Sequence, residues 1–287
     1  TITNSGGIYV SQFQTFAMTW SGTIDGTGTL VKSGSGDLIL SGANTYSGGT
    51  TVSGGLLKIS ADANLGAAGT AITLNGGGIG TVKEAPATLT ISRSVTLGTG
   101  GGSFYVDNNP LTWSGNIGGS GQLIKDGAGA LLLTGTNTYS GGTQVMVGTV
   151  QVASDDKLGA AGTAVMLYNN GALFATDTFA TARTFNLEGA GGALLVNGGK
   201  TLTLTGTVAG TSILKVGDGT LILAGNSTYT GTTQVFQGIL QGNTTTVRGN
   251  IAFDESPRSK TMVFDQETDG TFAGNIAGRT RTLPLAV

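Results

Sequence analysis

The carboxylates best placed for chemistry fall in three spots: Asp155 with Asp156, Asp254 with Glu255, and the trio Asp265, Glu267 and Asp269. Such clusters can cleave polysaccharides when one acid is held protonated beside an ionised partner. Asp155 aligns with Asp62 just ahead of a repeated LGAAGTA string, where a turn or helix cap is the simpler account. The trio reads as a solvated loop face. Histidine and cysteine are both absent, which removes Ser-His-Asp and Cys-His arrangements and soft-metal sites. No GxSxG string occurs. SGSGDLIL at 33–40 resembles a calcium-solenoid turn, but that turn needs glycine two residues ahead of Asp37, where Ser35 stands. The other copies also replace Asp37, with Ala130 and Thr220. The expectation is a non-enzymatic chain with no catalytic residue, cofactor or metal site.

The elements that must position any site follow from composition. Glycine supplies 52 of 287 residues and charged residues only 10%, while 38% are hydrophobic and mean hydropathy is +0.16. That is too apolar for disorder, and without a Gly-X-Y period it is not collagen. A net charge of −2 offers no electrostatic footprint for nucleic acid and no polybasic membrane patch. No run of about 18 apolar residues occurs, and Thr1 does not open a signal peptide, so the chain reads as mature or cut from something larger.

A long internal repeat decides the architecture. KSGSGDLILSGANTYSGGTTV from Lys32 aligns without gaps with KDGAGALLLTGTNTYSGGTQV from Lys125 and KVGDGTLILAGNSTYTGTTQV from Lys215, at shifts of 93 and 90. Apolar residues come in runs of two to five bounded by Gly, Ser, Asn and Asp, the pattern of short strands and tight turns. Such strands bury a face only by stacking coil on coil, each interior Leu, Ile or Val contributing roughly 1.5–3 kcal/mol. The fold expected is an all-β parallel β-solenoid of about a dozen coils without significant helix, about four coils per copy, each copy roughly 19 Å long at about 4.8 Å per coil. Residues 1–246 hold three copies anchored at Lys32, Lys125 and Lys215; residues 247–287 continue the solenoid.

Within the repeated heptad, Asn44 and Asn137 are expected to bond their own turn backbone, Tyr46, Tyr139 and Tyr229 to lie across a neighbouring coil, and Gly48 with Gly49 to form the corner. These asparagines and tyrosines are also the candidate surface contacts. The three lysines, separated by more than a Debye length of about 8 Å, read as solvated strand ends. Trp20 and Trp113 give way to Leu204, which favours interior filling over an aromatic platform. TLTLTGT at 201–207 resembles the Thr arrays of ice-binding solenoids but does not recur in every coil.

The pattern KxGxGxLxLxGxNTYSGGTxVxxG resembles the passenger-associated repeat of bacterial autotransporters, from about Trp20 to Gly242. VRGNIAFDESPRSKTMVFDQETDGTFAGNIAG at 247–278 is similar to the segment such passengers carry towards their membrane-proximal end. The resemblance implies a right-handed parallel β-helix exported through the outer membrane by a C-terminal β-barrel, which this chain does not contain. TRTLPLAV at 280–287 departs from the continuation the family implies, so its residues need not be native. The implied setting is the bacterial cell surface or exterior. The implied role is adhesion, autoaggregation or biofilm formation, with a host-cell surface, extracellular matrix or the same protein on a neighbouring cell as partner and no nucleic acid. The alternative is a passive stalk for an upstream domain.

Overall fold

A computed structural model describes residues 1–11, 16–169 and 171–278; the unusual tail at 280–287 lies outside them. The chain winds into a parallel β-solenoid of about 13 turns, with 3% helix and, among the described residues, no helix of 7 or more residues. Leu30 pairs with Thr50, Thr50 with Ile72, Ile72 with Val95 and Val95 with Ile117, so one coil takes 20 to 23 residues.

Each coil visits three faces in order. Face I carries six strands from Gly7–Ser11 to Ile117–Gly119 and resumes as five from Phe179–Thr181 to Lys260–Phe264. Face II carries ten, from Met18–Trp20 to Val208–Gly210. Face III starts with the pair Ile2–Thr3 and Ile24–Asp25 and resumes as ten strands from Leu89–Ile91 to Ile276–Ala277. Past residue 247 the strands Ile251–Phe253, Lys260–Phe264 and Ile276–Ala277 extend faces III and I.

Strand alternation sorts the side chains. In Leu38–Leu40, Leu111–Trp113 and Ile213–Val216 every second residue enters a continuous interior that includes Leu30, Leu57, Ile72, Phe104, Trp113, Leu131 and Leu194. Trp113 is fully buried, meets Phe104 edge-on at 5.1 Å and donates from Nε1 to the Arg93 carbonyl at 2.9 Å. Leu204 also lies in this interior, and Trp20 packs partly buried against it.

The sequence repeat and the coil are out of phase. From the lysine strand of one copy to that of the next the chain takes thirteen steps from face to face, three to a coil. A copy is therefore four and one-third coils, not four, and each copy starts one face further round. Lys32 lies on face I, Lys125 on face II and Lys215 on face III. Where the tyrosine segment falls, the sheet is broken: face III near Tyr46, face I near Tyr139, face II near Tyr229. This accounts for the divided sheets of faces I and III.

Candidate functional site

The first six residues of the repeated heptad form no strand, although their backbone still bonds the coils on either side. The Thr45 N–H donates to the Ile24 carbonyl at 2.8 Å, and the Tyr46 carbonyl accepts from Ala67 at 2.9 Å. Asn44 continues this by side chain: Oδ1 accepts from the Ile24 N–H at 2.8 Å and Nδ2 donates to the Asn64 carbonyl at 2.6 Å. Asn137 repeats the arrangement with Ile117 at 2.9 Å and Lys157 at 2.7 Å. The expected turn bonds are thus replaced by bonds that tie three coils, since the asparagine side chain points along the rod axis into groups the broken sheet leaves unpaired. Gly48 is required by close approach, as an added Cβ would lie 2.6 Å from the Gly28 carbonyl group. Gly49 and Gly142 take φ of 84° and 81° at the corner, while Thr232 occupies that corner in the third copy.

The tyrosines are interior. Tyr46 and Tyr139 are 0% exposed and Tyr229 2%, and their hydroxyls bond Thr50, Thr143 and Thr233 Oγ1 at 2.7, 2.6 and 2.7 Å. Burial raises the pKa of each, opposed by that hydrogen bond. Asn44 and Asn137 are buried as well. A surface-contact role for these five side chains does not fit their positions: the aromatic ring fills the core volume that the missing strand would have filled.

The lysines also require correction. Each is 0% exposed and occupies an interior column, Lys125 pairing with Phe104 and Val145. Each ammonium donates to three carbonyls: Lys32 to Ser33, Gly34 and Gly54; Lys125 to Asp126, Gly127 and Val147; Lys215 to Val216, Gly217 and Gln237. The aliphatic stem crosses the core and the head closes the corner between two coils. Burial pulls Lys125 and Lys215 down to about 8, against the pull of Asp126 and Asp218, and lowers Lys32 in the same direction.

Two arginines escaped the sequence reading. Arg93 and Arg183 are 1% exposed, and their Nε atoms meet Asp62 and Asp155 at 2.9 and 2.7 Å. Arg93 also donates to the carbonyls of Asp62, Gly66 and Ala67, and Arg183 to those of Asp155, Leu158, Gly159 and Ala160. The LGAAGT turn wraps the guanidinium, so Asp62 and Asp155 hold an arginine and are not caps. The available signal was that an Asp ahead of LGAAGT and a later Arg occur together in both copies, 31 and 28 residues apart.

A general acid must hold its proton near neutrality, and the shifts of Asp156 and Asp254 run the other way. Asp155 faces Arg183. Asp156 is lowered by hydrogen bonds from Lys157 and Ser154, and Asp254 by Lys260. Asp265 accepts from Gln241 at 2.8 Å, and Glu267 and Asp269 are exposed on the loop beyond it. What the coils offer outward is aligned columns: Thr51, Thr73 and Thr96 on face I, and Phe174, Leu195 and Val216 on face III.

The profile of the family described as Passenger-associated-transport-repeat matches residues 30–59, 123–152 and 213–241. These are the lysine strand, the next strand along the coil, the tyrosine loop and the two strands after it, once per copy. Over 269 residues the chain is 36% identical to the adhesin BmaC autotransporter of Brucella suis biovar 1 (strain 1330), covering 82% of this chain and 8% of that protein. No solved structure matches. The chain is a segment of an autotransporter passenger, exported across the outer membrane to the cell surface or beyond.

Proposed function

We propose that this segment is adhesive: a rigid rod whose outer faces contact a host-cell surface, extracellular matrix or the same protein on a neighbouring cell, leading to adhesion, autoaggregation or biofilm formation. The observation that carries the reading is the division of labour in the repeat. Its most regular residues, Lys, Asn, Tyr and Thr, are spent on the interior, which leaves the outward columns free to vary for a partner. Columns such as Thr51, Thr73 and Thr96 repeat at about the 4.8 Å strand spacing and suit many weak polar contacts. A net charge of −2 leaves little repulsion between like rods. The adhesin name of the Brucella protein agrees with this reading. The role is non-catalytic, and translocation falls to a C-terminal β-barrel. The second reading is a passive stalk, supported by the unbroken solenoid.

Sedimentation of the purified segment over a range of concentrations, paired with clumping and host-surface retention of bacteria displaying it, separates the two. Association with clumping, or retention on host cells, is the adhesive outcome. A monomeric rod that neither clumps nor binds would leave a stalk.

A further inference from the structure

The third copy departs from the first two at one place. In the first copy Leu65 is fully buried and six residues, 66–71, lead to the next strand at Ile72; Leu158 and residues 159–164 do the same ahead of Val165. The Thr143 hydroxyl donates to the Leu158 carbonyl at 3.4 Å, and the Thr233 hydroxyl donates to the Arg248 carbonyl at 3.1 Å, so the Arg248 carbonyl stands where that of Leu158 does, while the buried side chain here is its neighbour Val247. Only Gly249 and Asn250 then separate it from Ile251. The wrapping turn is four residues shorter. Its arginine is missing too: Arg93 and Arg183 lie two residues ahead of Val95 and Phe185, and the matching position ahead of Ile276 is Gly274. Thr245 stands three residues ahead of Arg248, as Asp155 does ahead of Leu158.

Where the first two copies carry a plug of turn, aspartate and guanidinium, the third has a cavity of about 400 Å3 lined by Thr230, Thr232, Thr244, Arg248, Asn250 and Phe272. Arg248 is exposed, and its Nε is anchored on the Ser227 carbonyl at 2.9 Å. Its two terminal nitrogens, the hydroxyls of Thr232 and Thr244 and Asn250 Nδ2 have no protein partner among the described residues. Phe272 is held against Phe264 with ring centres 5.2 Å apart.

We propose that this cavity binds an acidic sugar residue, its carboxylate on the Arg248 guanidinium and its hydroxyls on Thr232, Thr244 and Asn250, with the ring against Phe272. The proposal rests on the adhesive reading and names its ligand class. A guanidinium with a free two-nitrogen edge suits a carboxylate. The volume suits one or two sugar units. The loop bearing Asp265, Glu267 and Asp269 borders the cavity, since the Thr244 N–H donates to Gln266 Oε1 at 3.2 Å. Those acids disfavour polyanions more than a single carboxylate on a neutral scaffold.

The test is an NMR titration of the 287-residue chain with sialyllactose, a glucuronate-containing disaccharide, lactose and inorganic phosphate. Saturable binding of at least one acidic sugar is expected, at least about tenfold tighter than lactose or phosphate. Arg248→Leu, which removes the guanidinium, should weaken it at least about tenfold. Arg248→Lys should fall between, because the charge stays and the fork is lost. Equal binding of lactose, an Arg248→Leu variant that binds within about twofold of the parent, or no saturable binding would each overturn the proposal. A preference for sialyllactose points to host glycans and one for glucuronate to polysaccharide. In displayed cells, retention on host surfaces that survives Arg248→Leu would leave adhesion standing and remove this cavity as its agent. Sugar binding without retention would do the reverse.

Discussion

Deletion of residues 33–125 tests the phase between repeat and coil. It joins Lys32 to Asp126, so the carbonyls that held Lys125, on Asp126, Gly127 and Val147, now receive Lys32. Every interior neighbour at the junction is replaced by its equivalent, and the shortened rod should fold with loss of only the removed copy's own contribution. Four and one-third coils at about 4.8 Å remove about 21 Å, and everything downstream turns by one face, about 120°. The chain has no cysteine, so nitroxides can be placed cleanly at Tyr9→Cys and Thr261→Cys, both exposed on face I and twelve coils apart. Their axial separation should shrink from about 58 Å to about 37 Å by double electron–electron resonance, while Thr261 leaves the Tyr9 face and Glu188 of face II moves onto it. The contrasting deletion of residues 50–71 removes one coil and turns nothing, yet takes away Asp62, Gly66, Ala67 and Thr70, all the acceptors of Arg93. It should be the more damaging of the two despite being four times smaller, by about 3–5 kcal/mol for the stranded cation. Distances that fit four whole coils without rotation, or a 33–125 deletion that does not fold while the 50–71 deletion does, would refute the reasoning.

Arg183→Met leaves the Asp155 carboxylate and five carbonyls without their donor, and urea denaturation should register a loss of about 3–5 kcal/mol. Arg183→Lys should recover little of this, because an ammonium lacks the planar fork that spans those acceptors. Tyr139→Phe keeps the ring and removes only the bond to Thr143, so about 1 kcal/mol is expected in the same assay. The pH profile of stability follows from the buried groups. The folded pKa of Lys125 and Lys215 is about 8, below the 10.5 of the unfolded chain, so between those values the unfolded state holds more protons and stability should rise with pH. The buried tyrosines act oppositely: raised above 10.0 in the fold, they ionise first in the unfolded chain and stability should fall above about pH 10. Denaturation midpoints between pH 7 and 11 that show no maximum would contradict the burial of both groups.

The amino-acid sequence determined the solenoid. Runs such as Leu38–Leu40 between glycines can be buried only by stacking, and three gapless copies of a long motif leave no other way to bury them. It also determined that the chain lacks the groups for triad or thiolate chemistry. What it could not decide is which way a repeated side chain faces. Lys32, Lys125 and Lys215 look like solvated cations in one dimension; only the stacking of coils brings a carbonyl from 22 residues away to each ammonium and makes the interior tolerable. Arg93 is interior for the same reason, because its partners lie on a neighbouring coil. The one-third coil left over in each copy is a property of tertiary winding. It places equivalent motifs on three faces, and the shortened turn of the third copy, with Val247 buried and Arg248 exposed beside it, opens the outer surface into a cavity.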